Sequence, residues 1–177
     1  EHHADDALVS SLSTRDRDTA VLRYWPDAEL GGDKADTKST CGCWLEVASA
    51  DGSRCWPIGF ATRKMTGTAT ATAETETYSM IGVNASFLKK EVIPVLEMLE
   101  VALFRDVLLE CQEDNSQTEA VIKRGYSPNL RHLERHFRLP IGFAHEIFYP
   151  DLGEYNDLGE AQYPAKYNAK IVRCETS

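Results

Sequence analysis

The Asp51-Gly52 step between two short apolar segments constrains the fold of this chain more than any other feature. Asp-Gly is a strong signal for a β-hairpin, because the favoured two-residue turn needs a positive φ at both central positions. The flanking segments 43–48 and 55–61 are therefore predicted strands. The segment 20–25 is a further predicted strand, with Asp27 just past its end. Three antiparallel strands thus open the predicted fold.

The predicted order after the hairpin is helices, strand, helices, strand. Residues 66–77 alternate Thr with small residues, which fits either low complexity or an extended lead-in to a helix. We favour the lead-in, because apolar residues recur at helical spacing from Tyr78 onward. The segment 107–112 lacks turn formers and is predicted to be an interior strand. The remaining predicted elements are helices over 95–104, 116–123, 129–137 and 141–148, and a strand over 169–174. This pattern predicts an α/β fold with a mixed sheet and helices on its faces.

Length and composition fit a single globular domain. The chain has 177 residues, of which 42% are hydrophobic and 27% charged. It contains no apolar run of about 20 residues, so we expect no membrane partner. Residues 1–18 are polar, lack the basic and apolar regions of a signal peptide, and are predicted to form a flexible leader. Residues 19–177 are predicted to form one domain.

The net charge of −9 bears on the class of function. It argues against a simple nucleic-acid-binding module, which usually carries a basic surface. It does not argue against a metal-dependent nuclease, because bound cations neutralise the acidic site of such an enzyme.

The cysteines and tryptophans are predicted to lie inside the fold or on sheet faces. The five cysteines are odd in number, and their spacings match no zinc-binding pattern. We expect reduced thiols in a reducing compartment, and therefore an intracellular location in the cytoplasm or nucleus. The cysteines are Cys41, Cys43, Cys55, Cys111 and Cys174, and the tryptophans predicted to lie in the core or on a sheet face are Trp25, Trp44 and Trp56.

Carboxylates recur at three places where a strand ends or a helix begins. Asp27 follows the first predicted strand, Glu74 and Glu76 fall in the first turn of a helix, and Asp114 follows the strand over 107–112. Three carboxylates gathered at one point could hold two divalent cations about 3.5–4 Å apart and support phosphodiester hydrolysis. Taken singly, Asp27 and Asp114 are more often turn or cap residues, so the interpretation depends on the set.

Four motifs in a fixed order, the first of them in two parts, resemble the ribonuclease H domain of Copia-type retrotransposon Pol polyproteins. The similar segments, with the family's wording, are 27–33 and 36–42 (DADWAGD…DTRKSTSG), 71–77 (STAEAE), 114–117 (DNQ) and 127–133 (the basic helix that follows). Each motif is weak alone, but the similarity runs from about Val21 to the C-terminus. The resemblance implies a ribonuclease H-like five-stranded mixed sheet, with three antiparallel strands followed by helix-connected strands.

The resemblance also implies the catalytic residues. Asp27, Glu76 and Asp114 correspond to metal-binding carboxylates that hold two Mg²⁺ or Mn²⁺ ions. We choose Glu76 over Glu74 because the family's glutamate immediately precedes the apolar face of the helix. Glu74 is then a solvated residue of the first helical turn, where the helix dipole favours a carboxylate.

One expected ligand is absent from this sequence. The family's fourth carboxylate opens a helix just after the last strand, and the sequence ends at Ser177, before that position. The domain is therefore expected to lack its final helix. Glu134 is a candidate substitute, although a glutamate on a helix surface is the simpler interpretation.

Basic residues cluster between positions 123 and 138 of this otherwise acidic chain. They are candidates for contacting the phosphates of a bound hybrid, although a solvated helix face explains them equally well. His132 and His136 have the i, i+4 spacing of metal ligands, but without a third ligand nearby we do not expect a zinc site. The candidate phosphate contacts are Lys123, Arg124, Arg131, Arg135 and Arg138.

The function that the resemblance implies is an endonuclease that cleaves the RNA strand of RNA–DNA hybrids in a retroelement polyprotein. An attached or associated reverse transcriptase domain is the expected protein partner. Two alternatives stay open. A co-opted or inactive copy would have a binding or structural role, and a Mg²⁺ titration would distinguish it. An integrase-like relative would act on duplex DNA instead of hybrid.

Overall fold

A single mixed sheet organises the protein. The structure is a computed structural model that describes residues 13–29, 38–65, 75, 79, 87–128, 141–150 and 166–174. The strands in these ranges are β1 Val21–Glu29, β2 Thr40–Ala48, β3 Cys55–Lys64, β4 Leu109–Glu113 and β5 Ala169–Arg173. The sheet order is β3-β2-β1-β4-β5. The strands β1, β2 and β3 are antiparallel neighbours, and β4 runs parallel to both β1 and β5. This arrangement confirms the predicted five-stranded mixed sheet, in which three antiparallel strands are followed by helix-connected strands.

Helices flank the sheet. Those in the described ranges are α1 Thr14–Thr19, α2 Ile93–Leu103, α3 Ser116–Arg124 and α4 Ile141–Phe148. A π-helical turn, Leu88–Val92, leads directly into α2. Pro94, which has no backbone N–H, stands at this junction between two hydrogen-bonding patterns. None of the described helices has the length and apolar character of a membrane-spanning segment. The predicted helix over 129–137 lies outside the described residues.

The predicted flexible leader, residues 1–18, contains a helix at its C-terminal end. The helix α1 begins with a capping box, in which Ser13 and Asp16 each accept a hydrogen bond from the other's backbone N–H. Asp16 is buried and also forms an ion pair with Arg54. These contacts fix α1 against the sheet, so the prediction is corrected for residues 14–18. The first twelve residues of the leader lie outside the described part of the chain.

The hairpin predicted from Asp51-Gly52 joins β2 to β3. Gly52 has a φ of 70°, a left-handed conformation that glycine adopts readily. Asp51 does not have a positive φ, and residues 49–54 join the strands, so the connection is longer than the two-residue turn. Asp51 accepts hydrogen bonds from the Ser49 hydroxyl at 2.5 Å and from the Ser53 backbone N–H at 3.0 Å. These hydrogen bonds lower the pKa of Asp51 to about 2, and the bond from the Ser49 hydroxyl has the largest effect.

The first strand is longer than predicted. It continues past Pro26 to Glu29, whereas the sequence suggested an end at residue 25. Its parallel pairing with β4 stops at Tyr24, while its antiparallel pairing with β2 covers the whole strand. Proline is tolerated where one side of a strand is unpaired. Asp27 is therefore a strand residue, held opposite Gly42 of β2.

The core lies where the apolar side chains of the sheet meet α2 and the π-helical turn before it. Leu22, Tyr24 and Leu109 from the sheet cluster with Leu88 and Leu96 from the helical side, and all five are almost completely buried. Burying a side chain of this size contributes about 1.5–3 kcal/mol. This packing fixes the position of β1, which contains Asp27, and of β4, which Asp114 directly follows.

Gly125 ends α3 with a φ of 73°, and we expect Gly125→Ala to destabilise the fold by about 1–2 kcal/mol. An added Cβ would lie 3.1 Å from the His145 ring, closer than ordinary contact. Gly142→Ala is the matched control, because its Cβ would meet nothing within 4 Å. Alanine at that helical position should be neutral or slightly stabilising. Urea unfolding measures both variants, and equal free energies of unfolding would contradict this account of α3 termination.

Candidate metal and substrate site

Asp27 and Asp114 line the same groove at one end of the sheet. Asp27 belongs to β1, and Asp114 follows the last residue of β4. Because these strands are parallel neighbours, their C-terminal ends lie at the same end of the sheet. Both aspartates are exposed, and the groove has a volume of about 940 Å³. The structure therefore brings together two of the three predicted catalytic carboxylates.

Asp114 stands in a short turn between β4 and α3. Asn115 caps α3, because its Oδ1 accepts hydrogen bonds from the backbone N–H groups of Gln117 at 2.9 Å and Thr118 at 3.2 Å. Glu113, the last residue of β4, is buried and accepts a hydrogen bond from the Asn115 N–H at 3.1 Å. The structure confirms the predicted order of strand, Asp114 and helix. Hydrogen bonds of Glu113 and Asn115 hold the backbone on either side of Asp114.

The third predicted carboxylate, Glu76, lies outside the described residues, as does Glu74. Two residues near them in the sequence, Thr75 and Ser79, are described and buried. The Ser79 hydroxyl donates a hydrogen bond to the backbone carbonyl of Asp27 at 2.6 Å. The chain at Ser79 therefore contacts β1 at the residue that carries the first aspartate.

Cys174 also lines the groove, just past the end of β5. Its backbone N–H donates to the Glu113 carbonyl at 3.2 Å. Burial raises the pKa of the Cys174 thiol, and the negative charges of Asp114, Glu113 and Asp27 raise it further. The groove therefore concentrates negative charge. The sequence predicts Cys174 only as one of five reduced thiols, and its place as the final residue of the last predicted strand was the available signal.

The remaining cysteines agree with the prediction of reduced, mostly buried thiols. All five lie in the described residues and none forms a disulfide bond, and Cys41, Cys43 and Cys111 are buried. Cys55 is exposed. Burial raises the pKa of Cys43 to about 11, so this thiol stays protonated at neutral pH although it lines the groove.

Trp25, Trp44 and Phe60 form an aromatic wall along the groove. They lie side by side on adjacent strands, because Trp25 is paired with Trp44 and Trp44 with Phe60. The Glu46 carboxylate accepts hydrogen bonds from both indole N–H groups, at 3.2 Å from Trp25 and 2.9 Å from Trp44. The two indoles are 36% and 37% exposed, whereas Trp56 is 8% exposed. The prediction of core or sheet-face positions is thus confirmed, with Trp25 and Trp44 on the groove face.

The basic cluster is described only at its first two members. Lys123 and Arg124 lie in the last turn of α3 and are exposed. The Lys123 ammonium group lies 5.9 Å from the centre of the Tyr149 ring. The other residues named in the sequence analysis, which lie outside the described ranges, are Arg131, His132, Glu134, Arg135, His136 and Arg138.

The described residues contain no group of three or more His, Cys, Asp or Glu side chains arranged to bind a metal. The pair Asp27 and Asp114 nevertheless has suitable chemistry, because Mg²⁺ takes carboxylate oxygens as ligands and usually keeps several waters. A two-ion site at this pair needs further oxygen donors, from Glu76, water or substrate. Asp27 and Asp114 therefore fit a hard divalent cation, without completing a site by themselves.

No family model matches this sequence, and no curated protein matches it. Among solved structures, the chain is similar to ribonuclease H1 from the halophilic archaeon Halobacterium salinarum NRC-1, with a TM-score of 0.41 and 14% sequence identity. The similarity covers 86% of this chain and 84% of that chain.

Proposed function

We propose that this protein is a metal-dependent endonuclease that cleaves the RNA strand of RNA–DNA hybrids. The observation that carries the proposal is the groove shared by Asp27 and Asp114. Two exposed carboxylates from neighbouring strand ends can hold divalent cations where a substrate phosphate can reach them. The helix and strand order that positions them is that of the ribonuclease H-like sheet.

In this proposal Asp27, Glu76 and Asp114 hold two Mg²⁺ or Mn²⁺ ions through carboxylate oxygens. When bound, such a pair of ions activates a water molecule and stabilises the oxygen that leaves the phosphate. The protein supplies ligands in a fixed arrangement. The hydrogen bond from Ser79 to the Asp27 carbonyl and the Asn115 cap of α3 hold two of those ligands on rigid backbone.

Substrate affinity is assigned to the basic cluster. Lys123 and Arg124 project from the end of α3, the helix that begins beside Asp114. Together with Arg131, Arg135 and Arg138 they would neutralise backbone phosphates, and the affinity for hybrid should therefore fall steeply with salt. Cations bound at the aspartates offset the acidic net charge of −9 at the point of contact.

The proposed biological context is a retroelement polyprotein. Its support is the sequence similarity to Copia-type Pol proteins in the segments around Asp27, Glu76 and Asp114. An attached or associated reverse transcriptase domain would produce the hybrid that this protein cleaves, in the cytoplasm or nucleus. A co-opted copy that has kept the fold and lost catalysis is the alternative.

The test is a cleavage assay with labelled RNA–DNA hybrid, single-stranded RNA and duplex DNA, each with Mg²⁺, Mn²⁺ or EDTA. We expect cleavage of the RNA strand of the hybrid alone, and only with a divalent metal. Cleavage of duplex DNA would favour an integrase-like activity. Metal binding without cleavage of any substrate would favour the co-opted alternative.

Asp114→Asn should leave the metal-free protein equally stable or slightly more stable, and should remove its stabilisation by Mg²⁺. Carboxylates in one groove repel one another without metal, so removing one charge relieves that repulsion. A ligand at 100 times its Kd stabilises the folded state by about 2.7 kcal/mol, and this gain should be confined to the wild type. Thermal unfolding with and without Mg²⁺ measures it.

Asp106→Asn is the matched control for this experiment. Asp106 is an exposed aspartate that precedes β4, whereas Asp114 follows the same strand. It should keep the wild-type response to Mg²⁺. An equal rise in Tm for the wild type and Asp114→Asn would show that the metal binds elsewhere.

A further inference from the structure

Glu113 has an unusual position for an acidic residue. It is the last residue of β4 and only 3% exposed, while its neighbour Asp114 is exposed in the groove. Burying a carboxyl group is costly unless hydrogen bonds compensate. Its Oε1 accepts a hydrogen bond from the backbone N–H of Asn115 at 3.1 Å. That bond closes a small ring of covalent and hydrogen bonds whose middle residue is Asp114.

The two residues that flank Asp114 are each fixed to a different element. On one side, the Glu113 carbonyl accepts a hydrogen bond from the Cys174 N–H at 3.2 Å, which ties it to the end of β5. On the other side, the Asn115 side chain caps α3 through the N–H groups of Gln117 and Thr118. The backbone of Asp114 is the link between them. The Glu113 side chain joins the two ends of that link through its hydrogen bond with the Asn115 N–H.

We propose that Glu113 is a positioning residue, which holds the Asp114 carboxylate at the angle needed to bind a divalent cation. This inference rests on the proposed function. Glu113 acts through the hydrogen bond from its Oε1 to the Asn115 N–H, and it does not itself bind the cation. The bond is partly buried, so solvent competes with it less than with a bond on the surface. Without it, the peptide units on both sides of Asp114 gain rotational freedom, and ordering them costs part of the binding free energy.

The experiment compares Glu113→Gln with Glu113→Ala in a Mn²⁺ titration followed by the EPR signal of the free ion. Glutamine keeps an oxygen that can accept from the Asn115 N–H but has no charge, whereas alanine keeps neither. We expect Glu113→Gln to bind Mn²⁺ within about twofold of the wild type. Glu113→Ala should bind about tenfold more weakly, as expected for the loss of one buried hydrogen bond.

Amide hydrogen exchange supplies a readout apart from metal binding. Exchange at the Asn115 N–H should be faster in Glu113→Ala and unchanged in Glu113→Gln. Glu113→Leu, which fills the buried position with a side chain that has no hydrogen-bond acceptor, is the second variant in case Glu113→Ala fails to fold. It should weaken Mn²⁺ binding as Glu113→Ala does.

The outcomes separate this inference from the proposed function. If Asp114→Asn leaves Mn²⁺ binding at the wild-type level, the proposed function is wrong and the inference falls with it. If wild-type binding depends on Asp114 but Glu113→Ala binds equally well, only the inference is overturned. If Glu113→Gln is as weak as Glu113→Ala, the charge of Glu113 matters and positioning by hydrogen bond is wrong.

Discussion

Asp27→Asn and Asp114→Asn should each reduce the rate of hybrid cleavage by about a thousandfold, the scale found when one preorganised electrostatic group is removed from an active site. Asparagine has nearly the same shape as aspartate, so the groove should keep its form. It lacks the negative charge that attracts a divalent cation to the groove. The loss should appear mainly in kcat, because substrate affinity is assigned to the basic residues of α3 and the segment after it.

Asp106→Asn is again the control, since it changes the net charge by the same amount at the opposite end of β4. It should cleave at the wild-type rate. Full activity in Asp114→Asn would show that this aspartate is only a turn residue between β4 and α3. A parallel loss in all three variants would point to net charge, and not to the groove, as the cause.

Leu96→Ala should destabilise the protein by about 2–5 kcal/mol, the range for a fully buried leucine. Leu96 is completely buried on the face of α2 that packs against the sheet. Truncation removes apolar contacts with the core cluster and leaves a cavity that the close-packed interior fills only in part. Chemical unfolding followed by circular dichroism measures the change in free energy.

Met98→Ala is the matched control on the same helix. Met98 is 62% exposed, and alanine has the highest helix propensity, so the free energy of unfolding should change by no more than about 0.5 kcal/mol. Similar losses in both variants would mean that α2 docks on a different face from the one described. A small loss in Leu96→Ala alone would mean that the core relaxes around the missing side chain.

Local sequence signals predicted much of this fold. The Asp51-Gly52 step identified the β2–β3 hairpin, and the helix predicted over 116–123 corresponds to α3. The extension of β1 past Pro26 could not be predicted from the sequence. It depends on where β4 stops pairing, which is a property of the assembled sheet. The helix α1 was also missed, because its capping box lies in a polar segment without an apolar repeat to reveal it.

The site was predictable in outline for a similar reason. The resemblance implied that Asp27 and Asp114 share a site, and the parallel pairing of β1 with β4 is the structural reason that they line one groove. The aromatic wall was not predicted, since it depends on the register that pairs Trp25 with Trp44. Nor was the inward turn of Glu113, because adjacent acidic residues look alike in a sequence until one of them is buried. The predicted role of Glu76 stays a prediction.

The aromatic wall gives the protein its own optical reporter. The protein has three tryptophans. Trp25 and Trp44 line the groove, and their N–H groups donate hydrogen bonds to Glu46, whereas Trp56 is buried. The fluorescence emission of half-exposed indoles shifts to shorter wavelength when water is displaced from them, and Trp56 would contribute a constant background. Occupancy of the groove could therefore be followed in real time in the unlabelled wild-type protein.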